Sequence, residues 1–112
     1  MRMLMKVSMP VEVSNRAIVD GSFGKTVQAI LEEQKPEAVY FIADNGKRTG
    51  HIIVNLKDLS ELPALAEPWF QAFNASIEIT PAMTPQDLAA GAAGMERAAK
   101  KYGSLAKGAG AD

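Results

Sequence analysis

The sequence predicts an α+β domain in which helices cover one face of a four-stranded antiparallel sheet. Two patterns carry this. Residues 3–9, 38–44, 49–56 and 75–80 alternate with period two, while the stretches between them repeat with helical spacing. Asn45-Gly46 also stands between two of the alternating runs, and this is the strongest short hairpin signal because both central residues of a type I′ turn need positive φ. The composition suits such a domain: 112 residues, 47% hydrophobic and 22% charged, enough for one core and no more.

Met3 to Met9 reads as the first strand, with Met3, Met5, Val7 and Met9 opposed to Leu4, Lys6 and Ser8, and Pro10 ends it. Ser14 or Asn15 is placed to cap a helix running to about Gln34, whose Phe23, Val27, Ile30 and Leu31 share a face. Gly21 and Gly24 weaken its first half and imply a break there or a close approach to a neighbour. In the hairpin, a two-residue turn sets Asp44 against Lys47, Tyr40 against His51 and Ala38 against Ile53, with Phe41 beside Gly50.

Ser60 is the expected cap of a second helix, on which Leu62, Leu65, Ala66, Trp69, Phe70 and Phe73 form an apolar stripe of core type. Pro63 falls in its first turn, where proline is tolerated, whereas Pro68 is expected to kink or end it. Ala75 to Thr80 is the fourth strand. Thr84-Pro85-Gln86-Asp87 then reads as a helix start with a cap, an N1 proline and an acidic third position. This alanine-rich helix carries Gly91 and Gly94 and needs a docking surface to persist. The resulting division is a domain over 1–83, a C-terminal helix over 84–102 and a flexible tail over 103–112.

The order β-α-β-β-α-β plus a C-terminal helix is the ferredoxin-like plan, with expected strand order 4-1-3-2. Alternation then sorts the sheet into two faces. One carries Met3, Met5, Val7, Val39, Phe41, Ile52, Val54, Leu56, Ile77 and Ile79 and belongs beneath the helices. The other carries Leu4, Lys6, Ser8, Tyr40, Ile42, His51, Ile53, Asn55, Ser76 and Glu78, neither a solvated surface nor a dry core. Leu4, Tyr40, Ile42 and Ile53 would form an apolar patch on a monomer, and the economical cover is the same face of a second copy. The C-terminal helix is the competing cover.

On these elements the chain resembles the dimeric α+β barrel superfamily, in which two ferredoxin-like subunits pack sheet against sheet. The similarity spans about Met1 to Leu88 and is closest to small bacterial members of unknown function. It rests on the Ala38–Leu56 hairpin, on Leu62-Pro63-Ala64-Leu65-Ala66-Glu67-Pro68-Trp69-Phe70, and on Ile77-Glu78-Ile79-Thr80-Pro81-Ala82-Met83-Thr84-Pro85. These segments carry packing and capping, not chemistry, and activity does not transfer with a fold. Better-known members include cofactor-independent monooxygenases, muconolactone isomerases and haem-degrading enzymes. The last use an Asn–Trp–His set with the asparagine on the first strand, where this chain has Lys6 and Ser8.

Several chemistries are excluded or disfavoured. With no cysteine there is no disulfide, thiolate site or cysteine nucleophile, and one histidine rules out a multi-histidine metal site within one chain. A net charge of −1 and a third strand, Arg48 to Leu56, without aromatic residues argue against nucleic acid. Gly24-Lys25-Thr26 matches the end of a phosphate-binding loop, but Val19 stands where that loop needs its first glycine. The longest clean apolar run, Ala38 to Ala43, is far below the roughly 20 residues that span a bilayer, and no export signal is readable, so the expected location is cytoplasmic.

What remains is one constellation: His51, Tyr40, Asn55, Glu78 and Lys6 as the polar contacts of a candidate pocket, with no metal and no cofactor expected. Burial and partners bring such groups toward a working pKa for proton transfer, while as plain structure Glu78–Lys6 is a cross-strand ion pair and Tyr40–His51 a packed pair. The expectation is a homodimer binding or transforming a small, partly apolar organic molecule, by proton transfer or cofactor-free oxygen chemistry if it is an enzyme. The alternative is a non-catalytic assembly or regulatory domain in which the same residues fill the dimer interface.

Overall fold

The computed structural model describes residues 1–110, with side chains through Leu105. The strands are β1 (Arg2–Met9), β2 (Ala38–Asp44), β3 (Lys47–Asn55) and β4 (Ser76–Pro81). The helices are α1 (Val11–Val19), α2 (Phe23–Gln34), α3 (Leu62–Phe73), α4 (Pro85–Ala90) and α5 (Ala92–Gly110). All pairings in the sheet are antiparallel, in the order β2-β3-β1-β4. The protein is thus of the α+β class, and both the expected strand order and the expected hairpin register hold: Asp44 faces Lys47, Tyr40 faces His51 and Ala38 faces Ile53. Asn45 at φ 53° and Gly46 at φ 71° make the turn that the dipeptide implies.

Four local features differ from the sequence reading, each for a physical reason. The first helix is two. α1 starts directly after Pro10, and Asp20-Gly21-Ser22 breaks the path, with Gly21 at φ 81° and the Ser22 amide donating to Asp20 Oδ1 at 2.8 Å. Ser14 is therefore not a cap but a fully buried helix residue, its hydroxyl donating to the Pro10 carbonyl at 3.0 Å. The cap before α3 is Asp58, not Ser60: it accepts from the Ser60 amide at 2.8 Å and forms a capping box with Glu61, starting a 3-10 turn over Leu59–Glu61.

Pro68 does not end α3, which continues to Phe73. Proline lacks only the amide that would reach the Ala64 carbonyl, and Ala64 is exposed, where water replaces that bond. The C-terminal segment, expected as one helix, is two, since Gly91 closes α4 before α5 begins. Helical backbone continues to Gly110 through the stretch read as a tail; residues 111 and 112 lie outside the described residues. Thr84 and Asp87 form the reciprocal cap that their spacing implied, at 2.9 and 3.1 Å.

The chain divides into two compact units, Met1–Ala82 and a second beginning at Met83. The core of the first lies on the helix side of the sheet: Met3, Met5, Val7, Met9, Ile52 and Val54 from the strands, with Leu56 just past β3, meet Val27, Ile30, Leu65, Trp69 and Phe73. Trp69 is fully buried, stacks on Phe73 and donates its indole N–H to Gln34 Oε1 at 3.2 Å, so its one polar atom is satisfied. Phe70, read with that stripe, is 41% exposed. Phe41, read as core, is 52% exposed because β2 is the edge strand and only one side of it has a neighbour.

Candidate functional site

The opposite face of the sheet carries the residues that alternation assigned to it. Register places Glu78, Lys6, His51 and Tyr40 side by side in one row across β4, β1, β3 and β2. The neighbouring row toward one end is Thr80, Leu4, Ile53 and Ala38; toward the other it is Ser76, Ser8, Thr49 and Ile42. A single polar row is therefore flanked by Leu4 and Ile53 on one side and by Ile42 on the other. Tyr40 and Ile42 are 66% and 45% exposed, while Leu4, His51 and Ile53 are half-buried.

Four of the five predicted pocket residues stand in that row. Asn55 does not. It lies four residues along β3 from His51, roughly 13 Å at 3.3 Å per residue, and its side-chain oxygen accepts from the N-terminal ammonium at 3.1 Å. Lys6 is paired, but with Asp44 and not with Glu78: its Nζ lies 2.6 Å from Asp44 Oδ2. Asp44 is two rows beyond Tyr40 on β2, so the lysine chain reaches diagonally across β3, where Thr49 on the intervening row is only 1% exposed although it belongs to the open face. The hydrogen bond to Lys6 and its positive charge hold the Asp44 carboxyl below the usual carboxylate range, and the same bond raises the Lys6 ammonium.

His51 Nε2 is buried and has no hydrogen-bond partner among the described residues, beneath a face whose other polar groups are engaged or exposed. A small concavity of about 170 Å³, lined by Lys6, Ser8, Asp44, Asn45, Lys47, Ser76 and Glu78, opens at the hairpin end of this face. His51 does not line it. Asp44, Ser8 and Ser76 were not among the predicted pocket residues. The register would have found Asp44, since it shares the face with Lys6 two rows away, within reach of a lysine but not of a shorter side chain.

The other side of the hairpin has a structural role. Arg48 donates from Nη1 to Ser14 Oγ at 2.7 Å and to Asn15 Oδ1 at 2.9 Å, tying the hairpin to α1. A larger groove of about 420 Å³ lies between α2 and β2, lined by Phe23, Gly24, Val27, Gln28, Leu31, Glu32 and Phe41. Among the described residues no cluster of three or more metal-binding side chains occurs, and no helix is long and apolar enough to cross a membrane.

No curated protein matches the chain. Among solved structures, a formyltetrahydrofolate deformylase from Pseudomonas putida KT2440 superposes with TM-score 0.46 at 20% identity, over 73% of this chain. That overlap spans only 29% of the deformylase, and at this level of likeness nothing about activity follows. Residues 1–96, which take in the whole sheet and α1 to α4, match one family model, and the chain belongs to that family, described as a domain of unknown function (DUF3303).

Proposed function

We propose that the protein works as a homodimer whose open sheet faces close on one another around a small, partly apolar organic molecule. One observation carries this reading: the unpartnered, buried Nε2 of His51 in a row with Glu78, Lys6 and Tyr40, flanked by exposed or half-exposed apolar side chains. A buried polar atom left without a partner costs about 1–3 kcal/mol, so a group that reaches Nε2 as the side chains over it give way has a binding advantage there. Lys6 and Lys47 offset Asp44 and Glu78 in charge, which favours a neutral ligand with a hydroxyl or carbonyl over an ion. If the site is catalytic, His51 is the group able to accept and return a proton, with Tyr40 beside it.

The imidazole nitrogen resonances of His51 report directly on this site, because the chain has no other histidine. Phenol, as a neutral hydroxylated probe, is expected to shift Nε2, and benzoate and benzylamine to shift it less. Loss of the phenol response in Tyr40→Ala, with the fold retained, supports the row as the site. No response to any probe at millimolar concentration contradicts it.

The assembly reading has its own observation. The concavity on this face holds only about 170 Å³, less than the roughly 300 Å³ of an ordinary ligand pocket, and His51 lies outside it. In that case the second sheet itself supplies the partner to Nε2, and the residues serve association alone.

A further inference from the structure

The two edges of the sheet are built differently. β4 presents Ser76, Glu78 and Thr80 and ends in Pro81, the charge and proline that keep an edge from pairing with other strands. β2 has no such guard. Val39, Tyr40, Phe41, Ile42 and Ala43 run consecutively, and Tyr40, Phe41 and Ile42 are 66%, 52% and 45% exposed, so apolar surface is open on both faces of one edge strand. Its only charge, Asp44, is already bound to Lys6.

The register fixes which backbone groups this edge offers. A two-residue turn closes on a hydrogen-bonded pair, here Asp44–Lys47, and an antiparallel ladder alternates from there. Ile42 and Tyr40 therefore turn their amides and carbonyls toward β3, and Val39, Phe41 and Ala43 turn theirs outward. We propose that this edge is an association surface, separate from the open face, on which β2 of a second copy pairs antiparallel about a two-fold axis at Phe41. That axis sets Phe41 against the other copy's Phe41 and Val39 against its Ala43, so every outward amide and carbonyl of the strand is used. It also places Tyr40 across from the other copy's Ile42, a favourable aromatic–β-branched pair, and Asp44 across from Ala38 and not from another charge. A centre one residue either way leaves some of these groups unpaired.

The helix side of the edge agrees. The 420 Å³ groove lies along β2, and Phe41 is on its wall. Gly24 lines it too, and a Cβ at that position would meet nothing within 4 Å, so nothing within the chain requires glycine there. Close passage of the second copy's α2 across the two-fold axis gives Gly24 a reason: two helices approach most closely where one lacks a side chain. Both copies then fill each other's grooves with Phe41 and Leu31.

Ala43→Pro tests the edge, because proline on an edge strand with its nitrogen facing outward leaves β2–β3 pairing intact and blocks a second copy. Phe41→Lys is the companion variant, and far-UV circular dichroism confirms folding of each. By sedimentation equilibrium the wild type, joined through both contacts, is expected as a tetramer, and Ile53→Asp, which opens the sheet-face contact, as a dimer held through β2. Adding either edge variant is expected to halve that mass. Peptides covering 38–44 of Ile53→Asp should also exchange their amide hydrogens more slowly as concentration rises. A monomeric Ile53→Asp overturns the edge proposal, as does a folded Ala43→Pro or Phe41→Lys with the wild-type mass. A dimer unaffected by Ile53→Asp but dissociated by the edge variants keeps the edge proposal and removes the sheet-face dimer instead.

Discussion

The two faces of this sheet are built on the same four strands, yet only one is a core. On the helix side Met5, Val7 and Ile52 are fully buried against Trp69 and Phe73. On the other, one residue along each strand, Leu4, Ile42 and Ile53 remain open or half-open around a row of four polar residues. The difference is what each face lacks. On the helix side the buried polar groups have partners within the chain, Trp69 in Gln34 and Ser14 in Pro10 and Arg48. The open side mixes apolar side chains with a histidine nitrogen that neither water nor the chain reaches. A surface of that kind is stable only with something on it, and this makes it the place to look for function.

Neighbouring isoleucines on β3 give the largest expected contrast. Ile52→Ala empties a buried position and should cost about 2–5 kcal/mol in denaturant unfolding at any protein concentration. Ile53→Ala should cost less than about 1 kcal/mol under dilute conditions, with any further loss appearing only where copies associate. Equal, concentration-independent losses at both positions would mean that the two faces are alike after all.

A smaller effect sharpens how the hairpin is held to the helix side. Arg48→Ala removes two bonds to Ser14 and Asn15 and leaves the buried Ser14 hydroxyl with one partner fewer. The expected loss is about 1–3 kcal/mol, read from the same unfolding curves, and Ser14→Ala in that background should add little because the two share one interaction.

The smallest effect belongs to the ion pair on the open face. The folded-state pKa of Asp44 is lowered, so its contribution is present above the unfolded value near 3.8 and is lost as pH falls through the folded one. That of Lys6 is raised, so its contribution is present below 10.5 and is lost as pH rises through its folded value. Side chains about one-third exposed, at 33% and 34%, are partly screened, so Asp44→Asn should flatten both limbs slightly and the difference should shrink in high salt.

The layout of the sheet was legible in the sequence because period-two alternation and the Asn-Gly turn are local signals with few alternatives. Together they determine which residues share a face, the hairpin register and the row Glu78, Lys6, His51, Tyr40. What escaped depends on contacts between residues distant in sequence. Lys6 has Glu78 directly opposite it, yet binds Asp44 diagonally, since a long side chain reaches across a strand and a nearest-neighbour rule does not see it. Asn55 shares the face by alternation, but the N-terminus takes its side chain, and no pattern in β3 signals that. Arg48 bonds Ser14 and Asn15 of α1, and nothing local to β3 signals that. Ser14 reads as a cap until Pro10 starts the helix a turn earlier.

The central claim is that the open face is covered by a second copy, and the mass of wild type against Ile53→Asp in sedimentation equilibrium at micromolar concentration tests it most directly. The account predicts a wild-type assembly whose mass is halved by the substitution while the fold and the unfolding midpoint of the isolated subunit are unchanged. A wild-type chain that stays monomeric throughout that range, or an assembly of the same mass in Ile53→Asp, would contradict it.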